Sequence, residues 1–224
     1  MARSEKARQA GHRLARWLLA LGVAAPVVAL ASVAAAMAAY PGFDNSRQYL
    51  SELGGATARL PLLFNAGVFA AGLMAAAAGL GFGLAIASLS GARVLGGLTA
   101  LAFALAAVGL TVSALYPWPD HRHLIINLGL GIQLAPLLML AGLWRRAGLP
   151  RLKLFLAVVF LAMAVLTVLT KHLLFPALVN DANVGWWERA YAVVLVGWVG
   201  VAAAVLHRRL AHDAAPGSGQ APAA

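Results

Sequence analysis

Histidine and carboxylate residues are concentrated in short stretches between apolar segments, where they could bind a metal ion. The stretch YPWPDHRH holds Asp120, His121 and His123, and His172 follows a later apolar run. Imidazole nitrogens and carboxylate oxygens are ligands of zinc, and a zinc-bound water can attack an ester or amide. One reading is therefore a hydrolase whose cofactor is zinc, bound by Asp120, His121, His123 and His172. No known zinc signature is present, and His121 and His123, two positions apart, would point to different faces of a helix and could converge only in an extended or turn conformation.

A second group of polar residues favours a site without a metal. The stretches YPGFDNSRQYLSELGG and GWWERAY contain both acids and arginines. Unpaired charges near hydrocarbon are costly, so these groups are expected to pair in a partly dehydrated cavity or to lock loops together. An arginine there can hold the anionic group of a lipid while apolar helix faces hold its tail. The candidate ligand-binding residues are Asp44, Arg47, Ser51, Glu52, Asn65, Arg122, Lys171 and Arg189, and the candidates for catalysis are Ser51, Glu52, Asp120 and Glu188.

The motifs indicate no other catalytic chemistry. The chain has no cysteine, which excludes thiolate metal ligands and a cysteine nucleophile. It has no phosphate-binding loop, no dinucleotide-binding glycine motif and no nucleophile elbow. Nucleotide-dependent chemistry is therefore disfavoured.

The composition requires these polar residues to be positioned by membrane-spanning helices. Hydrophobic residues make up 62% of the 224 residues and charged residues 11%, which does not fit a water-facing surface. An apolar run of about 20 residues crosses a bilayer as a helix, because its backbone polar groups must pair within the segment. We therefore predict an all-α, polytopic bundle of six transmembrane helices. The predicted spans are residues 17–39, 62–88, 94–115, 124–143, 154–174 and 186–206.

The distribution of charge predicts the orientation of the chain. The predicted domains are a basic N-terminus at residues 1–16, a transmembrane domain at 17–206 and a disordered tail at 207–224. Six crossings place both ends on one side, which also carries most of the 17 Lys and Arg residues and is therefore cytoplasmic by the positive-inside rule. Because the positive charge lies beside the spans, membrane lipids rather than nucleic acid are the expected partners.

The first outer segment predicts a short helix across the mouth of the bundle. The residues SRQYLSEL can form about two helical turns, with Tyr49 and Leu53 on one face. Two glycines then end the helix. At the start of the last span, Glu188 and Arg189 are adjacent and face different directions, so we expect them to bind different partners.

Small and polar residues within the spans predict contacts between helices. In AAGLMAAAAGLGFG, Gly79 and Gly83 are four residues apart, which lets helix backbones approach closely and also offers a face for homo-oligomers. Asn65, Asn127 and Gln133 are amide side chains at depth, and for Asn65 and Asn127 hydrogen bonding between helices is the usual role.

Four sequence elements carry a resemblance to a known family. The residues QYLSELGG, followed by LFNAGVFAAG, then YPWPDHRH and GWWERAY, resemble the bacterial six-span membrane proteins of the domain of unknown function 998 family. That family is in turn distantly similar to membrane proteins of the Frag1 and DRAM type, some of them linked to lipid remodelling. The resemblance implies a shared six-span fold and a bacterial plasma (inner) membrane location.

The sequence thus favours a membrane protein that binds or remodels a lipid or amphiphile at its outer face. A membrane-embedded hydrolase that uses outer-face histidines and acids is the first alternative. A structural or partner-binding membrane subunit is the second.

Overall fold

The computed structural model describes residues 2–117, 120–125, 129–170 and 174–214, and these residues form helices with no strand. The helices are α1 (Ala2–Ala38), α2 (Pro61–Ser90), α3 (Arg93–Leu115), α4 (His121–Ile125), α5 (Gly129–Leu143), α6 (Pro150–Thr170) and α7 (Val184–Asp213). A single 3-10 helix, Leu50–Gly54, lies between α1 and α2. The predicted all-α class and the short helix between the first two spans are both confirmed.

By length and composition, five of the described helices can cross a membrane, namely α2, α3, α6, α7 and residues 9–38 of α1. The predicted fourth span corresponds to the end of α4, the shorter apolar helix α5 and residues 126–128, which lie outside the described residues. The outward faces of these helices carry large exposed aliphatic side chains such as Leu80, Leu161 and Val165. A surface of this kind matches lipid rather than water. Helix α1 begins at Ala2 and α7 continues to Asp213, so the helices that contain the first and last spans extend beyond the predicted span limits at the chain ends.

The first and last helices run antiparallel, which brings the two chain ends to the same end of the bundle. Gly22 of α1 lies against Ala203 of α7, and one turn further along α1 Pro26 lies against Gly200. Near that end, Asp213 pairs with Arg146 at 2.7 Å, which ties α7 to the segment after α5. We call this the terminal end of the bundle and the opposite one the distal end.

Glycines allow α2 and α3 to pack closely over much of their length. A Cβ atom at Gly83 would lie 2.7 Å from the carbonyl oxygen of Gly96, and a Cβ atom at Gly79 would overlap Phe103. These contacts confirm the predicted packing role of the small residues and place this face of α2 against α3 of the same chain. Beside them, the rings of Phe82, Phe103 and Trp198 form an aromatic cluster with centroids 5.3 to 6.3 Å apart.

Candidate functional site at the distal end

The segment after α1 is folded by its own polar side chains. The Asp44 carboxylate accepts hydrogen bonds from the backbone N–H of Ser46 at 2.8 Å and from its hydroxyl at 2.6 Å. These bonds hold the pKa of Asp44 below its usual value and form an Asx-type turn. The turn competes with helix, so the 3-10 helix begins only at Leu50, and the prediction of two helical turns from residue 46 was wrong. We call residues 43–55 the cap.

Two side chains then join the turn to the 3-10 helix. Gln48 accepts a hydrogen bond from the backbone N–H of Asp44 at 2.8 Å and donates one to Glu52 at 2.9 Å. Glu52 also accepts from the backbone N–H of Tyr49 at 2.8 Å. The carboxylates of Asp44 and Glu52 therefore shape the cap itself.

The first turns of α7 hold the cap in place. The Glu188 carboxylate accepts a hydrogen bond of 2.5 Å from the backbone N–H of Leu50. Arg189 donates to the carbonyl oxygen of Gln48 at 3.0 Å and to the Asn45 side chain at 3.1 Å. Glu188 and Arg189 thus have different partners, as predicted. Both partners lie in the cap, so one turn of α7 fixes two points of it.

A backbone contact adds a third attachment of the cap to α7. The backbone N–H of Gly185 donates to the carbonyl oxygen of Ser46 at 2.8 Å. A Cβ atom at Gly185 would lie within 2.6 to 2.8 Å of three cap carbonyl oxygens, those of Asn45, Ser46 and Gln48. Only glycine fits this approach.

Helix α2 holds the other end of the cap. Asn65 donates a hydrogen bond of 3.0 Å to the carbonyl oxygen of Gly54, and the same amide occupies the space that a side chain at position 54 would need. Leu50 and Leu53 are buried beside Ala36 of α1. Asn65, a candidate ligand-binding residue, therefore binds the cap backbone.

An apolar cavity of about 490 Å³ lies beneath the cap. Its wall is formed by small and aliphatic side chains of α1, α2, α3, α5 and α7, and its described polar lining consists of Ser113, His123 and Tyr191. Representative apolar lining residues are Pro26, Leu50, Phe64, Val68, Leu110 and Leu195. Leu50 belongs both to the cap and to the cavity wall.

A chain of hydrogen bonds links Tyr191, one of the polar lining residues, to the neighbouring helices α5 and α6. The Gln133 side-chain nitrogen of α5 lies 2.8 Å from the Thr167 hydroxyl of α6 and 2.5 Å from the Tyr191 hydroxyl of α7. Thr167 in turn donates to the carbonyl oxygen of Met163 at 2.8 Å. The Tyr191 side chain is thereby fixed at the cavity wall.

The residues after α3 form a separate local structure. Arg122 forms a bidentate pair with Asp120, at 3.0 and 2.8 Å, and its guanidinium lies 3.6 Å from the centroid of the Tyr116 ring. This pairing lowers the pKa of Asp120 from 3.8 to about 2 and raises the pKa of Arg122. His121 is exposed, whereas the His123 ring lies 3.0 Å from the carbonyl oxygen of Tyr116 and borders the cavity.

The remaining candidate residues are not brought together. Among the described residues, no three His, Asp or Glu side chains are grouped so that they could hold a metal ion. Lys171 and His172 lie outside the described residues. The Arg47 side chain is 69% exposed, with its Nε 3.9 Å from Asp44, and Ser51 is half-buried in the 3-10 helix.

Sequence reasoning missed the residues that form the cavity. Tyr191 was not a candidate, although it lies in the stretch GWWERAY, one helical turn after Glu188. The lining alanines give no signal of their own, because alanine is frequent throughout the chain. The helical spacing that follows GWWERAY could have indicated part of the cavity wall, because it places Glu188 and Ala192 on one face of α7.

These features define a multi-pass helical membrane protein whose apolar cavity is closed at one end by a polar cap. The family model described as Protein of unknown function (DUF998) matches residues 23–205, and the chain belongs to that family. No curated protein and no solved structure matches the chain. The more distant likeness to Frag1- and DRAM-type proteins stays a prediction.

Proposed function

We propose that this protein binds a membrane lipid or a similar amphiphile, with the apolar part of the ligand in the cavity beneath the cap. The observation that carries the proposal is the cavity of about 490 Å³ with its apolar wall. Sites for small molecules are concave, largely apolar and about 300–1,000 Å³ in volume, with a few polar groups that orient the ligand. The cavity has each of these properties.

The chemistry of the wall favours an apolar occupant over water. A buried water needs about three hydrogen-bonding partners, and cavities lined by hydrocarbon stay dry and take apolar guests. Ser113, His123 and Tyr191 are the described polar residues that line this cavity. A hydrocarbon tail would restore the dispersion contacts that an unfilled wall lacks.

Arg47 is the arginine that we assign to an anionic head group. Arg122 is paired with Asp120, and Arg189 donates to backbone and amide oxygens of the cap. Arg47 is exposed, and its ion pair with Asp44 is long at 3.9 Å. Its guanidinium can therefore turn toward a phosphate or carboxylate at the membrane surface without breaking the cap.

The proposed setting is the plasma membrane of a bacterium, with both chain ends in the cytoplasm. The family membership and the excess of Lys and Arg in the segments at the terminal end support this orientation. The distal end, with its cap, then faces the outer leaflet. The ligand would enter from that leaflet, and membrane lipids are the proposed partners.

Lipid analysis of the purified protein tests the proposal. The wild type, Ala106→Leu and Ala104→Leu are purified in one mild detergent, and bound lipid is extracted and quantified. Ala106 lines the cavity, whereas Ala104 is exposed on the same helix and serves as the matched control. We expect a stoichiometric lipid in the wild type and the control, and its loss from Ala106→Leu. Equal lipid in all three proteins, or none in the wild type, would contradict the proposal and favour a structural or partner-binding role.

A further inference from the structure

The direction of the hydrogen bonds around Gln133 follows from Thr167. A hydroxyl group has one hydrogen, and Thr167 donates it to the carbonyl oxygen of Met163 at 2.8 Å. Toward Gln133 the Thr167 oxygen can therefore only accept. Gln133 must present its amide nitrogen, which lies 2.8 Å away.

The second bond of that nitrogen fixes the role of Tyr191. An amide NH₂ group donates two hydrogens and accepts none, so the phenol oxygen of Tyr191 accepts the bond of 2.5 Å. The hydrogen of the Tyr191 hydroxyl is then left to donate elsewhere. Within the part of the chain that the structure describes, no group accepts it.

The cavity places this donor among apolar side chains and the polar side chains of Ser113 and His123. No Asp, Glu, Lys or Arg is found among the described residues of the cavity wall. An ionised group would lose its hydration there without compensation. A plain hydrocarbon would leave the Tyr191 hydrogen unpaired, which also costs free energy.

From this arrangement we infer that the ligand carries a neutral carbonyl oxygen, as in an acyl ester, and that the Tyr191 hydroxyl donates a hydrogen bond to it. The inference rests on the proposed function, because it names the class of ligand for the same cavity. The carbonyl lies at the Tyr191 side of the cavity, and the acyl chain occupies the apolar remainder. Gln133 and Thr167 act as positioning residues that set the direction of the Tyr191 hydroxyl.

Competition between two matched probes tests this assignment. The delipidated wild type is incubated with equal amounts of methyl palmitate and octadecane, which has the same chain length and no hydrogen-bond acceptor, and occupancy is measured by native mass spectrometry. One hydrogen bond corresponds to a preference of about 3- to 10-fold for the ester. We expect Tyr191→Phe to bind both probes with a ratio near one. We expect Tyr40→Phe, which removes a tyrosine hydroxyl that does not line the described cavity wall, to keep the wild-type ratio.

The outcomes separate the inference from the function on which it rests. Binding of neither probe to the wild type overturns the proposed function. Binding of both without preference, an unchanged ratio in Tyr191→Phe, or a lost ratio in Tyr40→Phe overturns the role of Tyr191. Infrared spectroscopy of carbonyl-labelled methyl palmitate on the wild type needs no variant. A carbonyl band shifted to lower frequency relative to the detergent-dissolved ester is expected, and an unshifted band contradicts the hydrogen bond.

Discussion

The backbone N–H of Leu50 lies 2.5 Å from the carboxylate of Glu188, although 138 positions separate the two residues. The bond joins the cap to the first turns of α7. One turn further along α7, Tyr191 and Ala192 line the cavity, as does the Leu50 side chain. The cap and α7 therefore each supply residues that join the two elements and residues that line the cavity, and a change at this contact is expected to alter the cavity.

Removing the Glu188 carboxylate is expected to loosen the cap. Glu188→Ala leaves the N–H of the buried Leu50 without an acceptor, which costs about 1–3 kcal/mol in unfolding free energy. Glu188→Gln keeps a carbonyl oxygen and should lose less. Unfolding in mixed micelles gives the free energy, and hydrogen exchange of residues 49–54 gives the local effect. Unchanged exchange in Glu188→Ala would show that this bond does not hold the cap.

Gly185 and Gly197 of α7 provide a test and a matched control for the close approach of the cap to this helix. Gly185→Ala places a Cβ atom against three carbonyl oxygens at 2.6 to 2.8 Å, and overpacking of this kind costs about 1–3 kcal/mol. Gly197 has no neighbouring heavy atom within 4 Å of an added Cβ, so Gly197→Ala should be neutral or stabilising by up to about 1 kcal/mol. Thermal unfolding of both variants in the same detergent checks this. Similar midpoints would mean that the cap does not approach α7 closely.

We expect arginine to be required at position 189, because its guanidinium reaches two acceptors of the cap at once. Lysine cannot reproduce the forked geometry, so Arg189→Lys should destabilise the protein nearly as much as Arg189→Ala. The exposed Arg47 provides the comparison, since Arg47→Ala should change stability by less than about 0.5 kcal/mol. It should nevertheless reduce retention of an anionic lipid. If Arg189→Lys matches the wild type in mixed-micelle unfolding, the forked contact is not what stabilises the cap.

The ion pair of Asp120 with Arg122 predicts a particular pH dependence. The pKa of Asp120 is lowered from 3.8 to about 2 in the folded protein. The ion pair therefore contributes fully to stability when the pH is above the pKa of Asp120 in the unfolded chain, and this contribution is lost as the pH falls toward 2. The difference in unfolding midpoint between the wild type and Asp120→Asn should therefore stay constant from about pH 7 to 5 and shrink below about pH 4. A difference that already vanishes near pH 5 would indicate that Asp120 is not paired in solution.

The helices could be predicted because their signal is local. Long apolar runs satisfy their backbone hydrogen bonds within the segment, and α2, α3 and α6 follow the predicted spans closely. The short helix after α1 was predicted to begin too early. The Asp44 carboxylate accepts a hydrogen bond from the backbone N–H of Ser46, which stabilises a turn there instead of a helix. The orientation of the Asp44 side chain cannot be inferred from helical periodicity.

The pairing of the polar residues depends on contacts between distant segments. The sequence indicated that Glu188 and Arg189 would bind different partners, but it could not indicate the Leu50 amide and the Gln48 carbonyl, because backbone groups are common to every residue. The elements QYLSELGG, LFNAG and GWWERAY meet at the cap. Glu188 accepts a hydrogen bond from the backbone of Leu50, and Asn65 donates one to the backbone of Gly54. The cavity is harder still to predict, since its shape is set by the packing of five helices.

Photo-crosslinking tests the central claim most directly, namely that an acyl chain occupies the cavity beneath the cap. The protein is illuminated in lipid nanodiscs that contain a long-chain methyl ester with a diazirine in its chain, and the adducts are located by peptide mass spectrometry. Our account predicts adducts at cavity-lining residues such as Pro26, Leu110 and Leu195, with their loss in Ala106→Leu. Adducts confined to outward-facing residues such as Leu101 and Val193 would contradict it.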